Sequence, residues 1–116
     1  MSPTTGWMVD PDTYQSRAAD TAVHPDGDEA VLYLALGLAG EAGEVAESIK
    51  KWRRGSSATG ELDADKLEAV PAEIGDVMWY AARLADELGH DFSDVLEMNL
   101  EKLSDRQQAG DLHDHD

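Results

Sequence analysis

Two long stretches of this chain repeat apolar residues at alternating steps of four and three. The first runs Val31, Ala35, Leu38, Ala42, Val45, Ile49, Trp52, and the second runs Val70, Ile74, Val77, Ala81, Leu84, Leu88. Such a stripe is helical and excludes a strand, whose side chains alternate with a period of two. Local signals bound the elements. Asp10-Pro11 opens a short helix expected to run to about Val23, and His24-Pro25-Asp26-Gly27 is turn chemistry. The second helix is expected from near Asp28 to about Arg54, followed by a polar loop from Ser56 to Asp65. The third ends at Gly89 as its C-cap, and Pro71 either marks its first turn or kinks a longer helix beginning near Asp65. Ser93 is expected to cap a fourth helix through about Gln107, with Asp94 favourable to its dipole. The fold class is therefore all-α, a four-helix bundle. Residues 1–9 read as a flexible leader, 10–107 as one domain, and 108–116 as an acidic disordered tail.

Each long helix carries an acidic pair at i,i+3 spacing, Glu41-Ala-Gly-Glu44 and Glu73-Ile-Gly-Asp76. Residues three apart share a helix face. Each acid immediately precedes a residue of the apolar stripe, so antiparallel packing of the two helices would bring four carboxylates to one side. Oxygen-rich sites suit hard cations such as Mg²⁺. Gly37, Gly40, Gly43 and Gly75 lie among these acids, although an interior helical glycine costs about 1 kcal/mol relative to alanine. They suggest close approach of a backbone or a ligand.

Charge narrows the partners. The net charge of −16 argues against nucleic acid or an anionic membrane surface, and an anionic substrate would need metal ions to offset that field. The longest apolar run, Val31 to Gly40, is about half of the roughly 20 residues that span a bilayer. No basic segment followed by an apolar one marks a signal peptide. The absence of cysteine excludes disulfides and Cys-based zinc sites. Cytoplasmic location is the expectation.

Glu41-x-x-Glu44, a gap of 28 residues, then Glu73-x-x-Asp76 resembles the signature of the MazG-like all-α nucleoside triphosphate pyrophosphohydrolases. The surrounding Leu36-Gly-Leu-Ala-Gly-Glu-Ala-Gly-Glu-Val45 and Glu73-Ile-Gly-Asp-Val-Met-Trp-Tyr80 are similar as well, as are Asn99-x-x-Lys102-Leu103-x-x-Arg106 and Tyr14-Gln15. The resemblance covers roughly residues 12–107. It implies a four-helix bundle completed by oligomerisation, as a homodimer or homotetramer. It also implies hydrolysis of (deoxy)nucleoside triphosphates to monophosphate and pyrophosphate, in nucleotide-pool house-cleaning. Mg²⁺, or Mn²⁺ in its place, would be held by Glu41, Glu44, Glu73 and Asp76, which makes these the expected metal-binding and catalytic residues. The departures are Pro71 and the long gap.

By the same resemblance Asn99, Lys102 and Arg106 face the nucleotide; without it, Lys102 and Arg106 read as surface partners of Glu101 and Asp105. Lys51, within Lys50-Lys51-Trp52-Arg53-Arg54, either steadies phosphates or complements a helix C-terminus. Trp79, with Tyr80, either lines a base pocket or is core. Glu47 is an extra ligand, a general base, or solvated. A di-iron carboxylate bundle requires Glu-x-x-His motifs on two helices, and this chain does not carry two. The alternative to an enzyme is a catalytically silent acidic helical module that binds nucleotide or protein.

Overall fold

The computed structural model describes residues 9–55 and 64–110. Four helices follow in order: α1 (Pro11–Asp20), α2 (Asp28–Gly55), α3 (Ala64–Glu87) and α4 (Phe92–Ala109), with no strand among the described residues. No helix is long and apolar enough to cross a membrane among those residues. The expected loop up to residue 63, residues 1–8 of the leader and residues 111–116 of the tail lie outside the described residues.

The Asp10 side chain accepts from the Asp12 and Thr13 amides at 3.1 and 2.9 Å and opens α1 as expected. These bonds to the ionised form hold its carboxyl below the ordinary carboxylate value. The helix ends at Asp20, three residues earlier than Val23. Thr21 leaves helical geometry, its hydroxyl donates back to Ala18 O at 2.9 Å, and the Thr21 and Ala22 amides close i→i−3 bonds. Of the two readings of Pro71, the longer helix is the one formed: α3 starts at Ala64 and carries Pro71 inside it, on the exposed surface. Gly89 (φ +85°) closes α3 as expected. The His90 amide bonds to Ala85 O and the Gly89 amide to Asp86 O, the paired arrangement that a left-handed glycine permits.

The start of α4 differs from expectation. Asp91, not Ser93, occupies the cap position, and its own side chain makes no capping bond. The cap comes from α1. Asp12 accepts from the Ser93 amide at 2.9 Å and from the Ser93 hydroxyl at 2.7 Å, and Gln15 Oε1 accepts from the Phe92 amide at 3.1 Å. The helix then runs two residues past Gln107, to Ala109, and Gly110 (φ +79°) caps it.

The apolar stripes are rotated relative to expectation. On α2 the covered positions are Ala30, Leu34, Gly37, Leu38, Glu41, Val45, Ser48 and Trp52, with Val31 half-buried, whereas Ala35, Ala42 and Ile49 are exposed. On α3 the stripe is Val70, Glu73, Val77, Tyr80 and Leu84, whereas Ile74 and Leu88 are exposed. Counting only apolar residues misses this, because each packed stripe contains a glutamate. α3 is the central element: α2 and α1 pack against it, and α4 packs on α1 and α3 but not on α2. The buried core is small, consisting of Ala18, Ala30, Leu34, Val70, Ala82, Ala85 and Phe92. Tyr14, Ala81 and Val95 pack around Ala82, Ala85 and Phe92.

Candidate metal and nucleotide site

The rotation of the stripes separates each acidic pair into an inner and an outer member. Glu41 and Glu73 stand half-buried in the facing stripes of α2 and α3, while Glu44 and Asp76, a turn along, stand exposed. A polar cavity of ≈ 440 Å³ opens beside them, lined by Gly40, Gly43, Glu44, Glu47, Ser48 and Lys51 of α2 and by Glu73 of α3. The α2 residues are spaced three and four apart, so they form one helix face. A side chain at Gly40 or Gly43 would meet nothing within 4 Å, so these glycines leave open floor. Of the four glycines expected to mark close approach only Gly37 does so, where a methyl group would overlap the Tyr80 ring; Gly75, like Gly40 and Gly43, meets nothing within 4 Å.

Electrostatics ties the four acids together. Loss of surrounding water, then the charges of Asp76, Glu44 and Glu73 in that order, hold the Glu41 carboxyl above its ordinary value. Glu73 Oε1 is buried with no hydrogen-bond partner. Among the described residues no three Asp, Glu or His side chains stand as a ready-made cage for an ion. The donor set nonetheless fits a hard divalent cation: oxygen ligands only, four mutually repelling carboxylates and one orphaned oxygen.

A carboxyl whose folded value is raised destabilises the fold when it ionises. Its stabilising contribution is complete below the unfolded value, near 4.5 for Glu41, and is lost as pH rises through the folded value. The metal-free protein is therefore expected to melt at higher temperature as pH falls from neutral toward 4.5. Glu41→Gln is expected to flatten that slope, which thermal melts across the interval would show. An identical slope in the variant would place the titration elsewhere.

The other candidates are placed unevenly. Lys51 lines the acidic cavity with Glu44 and Glu47. Asn99 and Lys102 are exposed and Arg106 half-buried on α4, which makes no contact with α2, so one chain does not bring them beside Glu41 and Glu44. Trp79 turns toward α1: its indole N–H donates to Thr21 Oγ1 at 2.9 Å, and its ring meets Tyr80 edge-on at 5.0 Å. Tyr80 is the aromatic residue nearer the acids. Its phenol is held above its ordinary value by desolvation, by charge and hydrogen bonding from Tyr33, and by Glu41 and Asp76. The one Glu-x-x-His spacing, Glu87–His90, crosses the end of α3, where Glu87 pairs with Arg83 at 3.6 Å. A second cavity, of ≈ 370 Å³, is mostly apolar and lies where α1, α3 and α4 meet, lined by Pro11, Tyr14, Gly75, Met78, Phe92 and Leu96 among others. Desolvation and then the Asp76 charge raise the Tyr14 phenol, so this cavity adjoins the acidic site. Glu47 and Tyr80 were only weakly marked in sequence. Their signal is helical register, i,i+3 after Glu44 and i,i+4 after Asp76.

The architecture is that of an all-α protein with carboxylates from two packed helices facing a polar cavity. Residues 30–110 match the model of the MazG nucleotide pyrophosphohydrolase domain, and the chain belongs to that family. It is also similar to the Gene 37 protein of Mycobacterium phage L5, 41% identical over 104 residues that cover 85% of this chain and 90% of that protein. No solved structure matches it.

Proposed function

We propose that this chain hydrolyses (deoxy)nucleoside triphosphates to nucleoside monophosphate and pyrophosphate in nucleotide-pool house-cleaning. What supports this reading is membership of the MazG family, together with the charges of Asp76, Glu44 and Glu73 that act on the raised Glu41 carboxyl and the orphaned Glu73 oxygen. These four acids would hold Mg²⁺, or Mn²⁺ in its place. A bound divalent ion supplies charge neutralisation and a water acidified for attack at phosphorus. Lys51, which lines the same cavity, would meet the phosphates, and Glu47 lies one turn from Glu44 within it. The apolar cavity behind Gly75, with the rings of Tyr14 and Phe92, offers a surface on which a base can rest.

A homodimer or homotetramer completes this reading. On α4, Leu96, Met98, Leu100 and Leu103 are exposed. The same helix holds Asn99, Lys102 and Arg106, which we assign as substrate contacts supplied by assembly; the indole of Trp79 on α3, tied to Thr21, would meet the base only by releasing that bond. Lys51→Ala and Lys102→Ala are both expected to raise KM. A larger effect at Lys51 fits a site built within one chain, and a larger effect at Lys102 fits one completed by a second chain's α4. Unchanged KM in both returns the two lysines to the surface.

The deciding experiment is pyrophosphate release from a panel of ribo- and deoxyribonucleoside triphosphates, with Mg²⁺ and with EDTA. Metal-dependent pyrophosphate with monophosphate as co-product is the expected result. Orthophosphate as first product would mean cleavage at another bond. Nucleotide binding with no turnover would mean the silent module.

A further inference from the structure

We propose that Tyr80, seated in the notch left by Gly37, is the positioning residue that sets the α2–α3 spacing at the acidic site and so aligns Glu41 with Asp76. The inference rests on the reading that these acids hold a divalent ion. Gly37 lies one turn before Glu41 on α2, and Tyr80 one turn after Asp76 on α3. The strut is therefore a single helical turn from both carboxylates.

The notch is specific to one glycine. A methyl group at Gly37 would overlap Cε1, Cζ and Cδ1 of the Tyr80 ring, whereas Gly40, Gly43 and Gly75 face open space. An interior helical glycine costs about 1 kcal/mol relative to alanine, and at position 37 the ring accounts for that cost. Two other aromatic rings flank the Tyr80 ring. Trp79 meets it edge-on at 5.0 Å and 84°, and Trp79 is itself fixed to Thr21. The Tyr33 ring lies at 6.5 Å and 41°. A methyl at position 37 would thus be answered by the helices parting, and the carboxylates one turn away would part with them. Metal affinity is the property most sensitive to that movement, because displacing a residue that orients ligands costs about 10–100-fold in affinity or activity.

The test is Mn²⁺ binding to the metal-free full chain, by calorimetry or electron paramagnetic resonance, alongside thermal melts. Gly37→Ala and Tyr80→Leu are each expected to weaken Mn²⁺ by about tenfold or more. Tyr80→Phe keeps the ring in the notch and is expected to bind as the wild-type protein does. In Gly37→Ala/Tyr80→Leu the ring that the methyl would strike is gone, so the double variant is expected to be no weaker than Tyr80→Leu alone, a non-additivity that marks direct contact. Val95→Ala, on α4 against Ala82, Ala85 and Phe92, is expected to lower the melting temperature without moving Mn²⁺ affinity.

Gly37→Ala binding Mn²⁺ as the wild-type protein does would overturn the proposal. If Gly37→Ala does not fold, Tyr80→Leu matching Tyr80→Phe in affinity would overturn it equally. A wild-type chain that takes up no Mn²⁺ would overturn the metal reading and this proposal with it. Mn²⁺ binding that the Gly37 and Tyr80 variants leave unmoved would overturn only the positioning.

Discussion

Asp76→Asn and Glu44→Gln are expected to abolish metal-dependent turnover while the helical circular dichroism stays intact. Both side chains are exposed, so an amide in place of either carboxylate disturbs no packing. The loss is expected to reach about 10²-fold or more, since metal-supplied stabilisation is worth several kcal/mol and each ~1.4 kcal/mol is tenfold in rate. The two variants should differ in the metal-free state. Asp76 is the leading charge acting on Glu41, ahead of Glu44 and Glu73. Asp76→Asn should therefore return the Glu41 carboxyl further toward its ordinary value than Glu44→Gln does, and raise the melting temperature near neutral pH by relieving repulsion. Steady-state kinetics with saturating Mg²⁺, and carboxyl titration of the metal-free protein by NMR, read the two effects separately. Full activity in either variant would remove that residue from the site.

The helices were legible, and the acidic pairs could be singled out as candidates, because both are written in local register. A 4,3 apolar step and an i,i+3 acidic pair need no knowledge of the partner helix, and Gly89 needs only its own left-handed turn. What was not legible depends on contacts between distant segments. The stripe of α2 was displaced because hydropathy cannot reveal that Glu41 faces α3 while Ala42 faces solvent. Ser93 reads as a cap by type, yet the group that satisfies its amide is Asp12, 81 residues away. Gly37, Gly40 and Gly43 are equivalent in sequence, and only the position of Tyr80 separates the one that admits a ring from the two that leave open floor. The α4 cations sit on a helix that, among the described residues, packs on α1 and α3 and not on α2, which local register cannot foretell.

The largest stability effect is expected at Gln15, which was marked in sequence only through the Tyr14-Gln15 resemblance. It is 6% exposed and joins three elements. Its amide nitrogen donates to Ala82 O of α3 and to His90 O of the α3–α4 turn, each at 3.1 Å, and its Oε1 accepts from the Phe92 amide at 3.1 Å. Gln15→Leu retains much of the volume and removes every one of these partners. A buried polar group left unsatisfied costs about 1–3 kcal/mol. Ala82 O already serves its own helix and His90 O is partly buried, so the sum is expected near the low end, roughly 2–4 kcal/mol. For a domain of this size that corresponds to a fall of about 10–20 °C in melting temperature. Gln15→Glu should behave differently with pH: ionised, it keeps the bond from Phe92 but cannot donate to either carbonyl, and protonated it regains one donor. Its deficit should therefore shrink as pH falls, whereas that of Gln15→Leu should not. Because Gln15 and Asp12 together cap α4, amide exchange at Phe92 and Ser93 should quicken in Gln15→Leu before the chain unfolds globally. A shift of only a few degrees, with unchanged exchange at those two amides, would mean that water replaces the Gln15 clamp and that Asp12 and Phe92 packing suffice to hold α4.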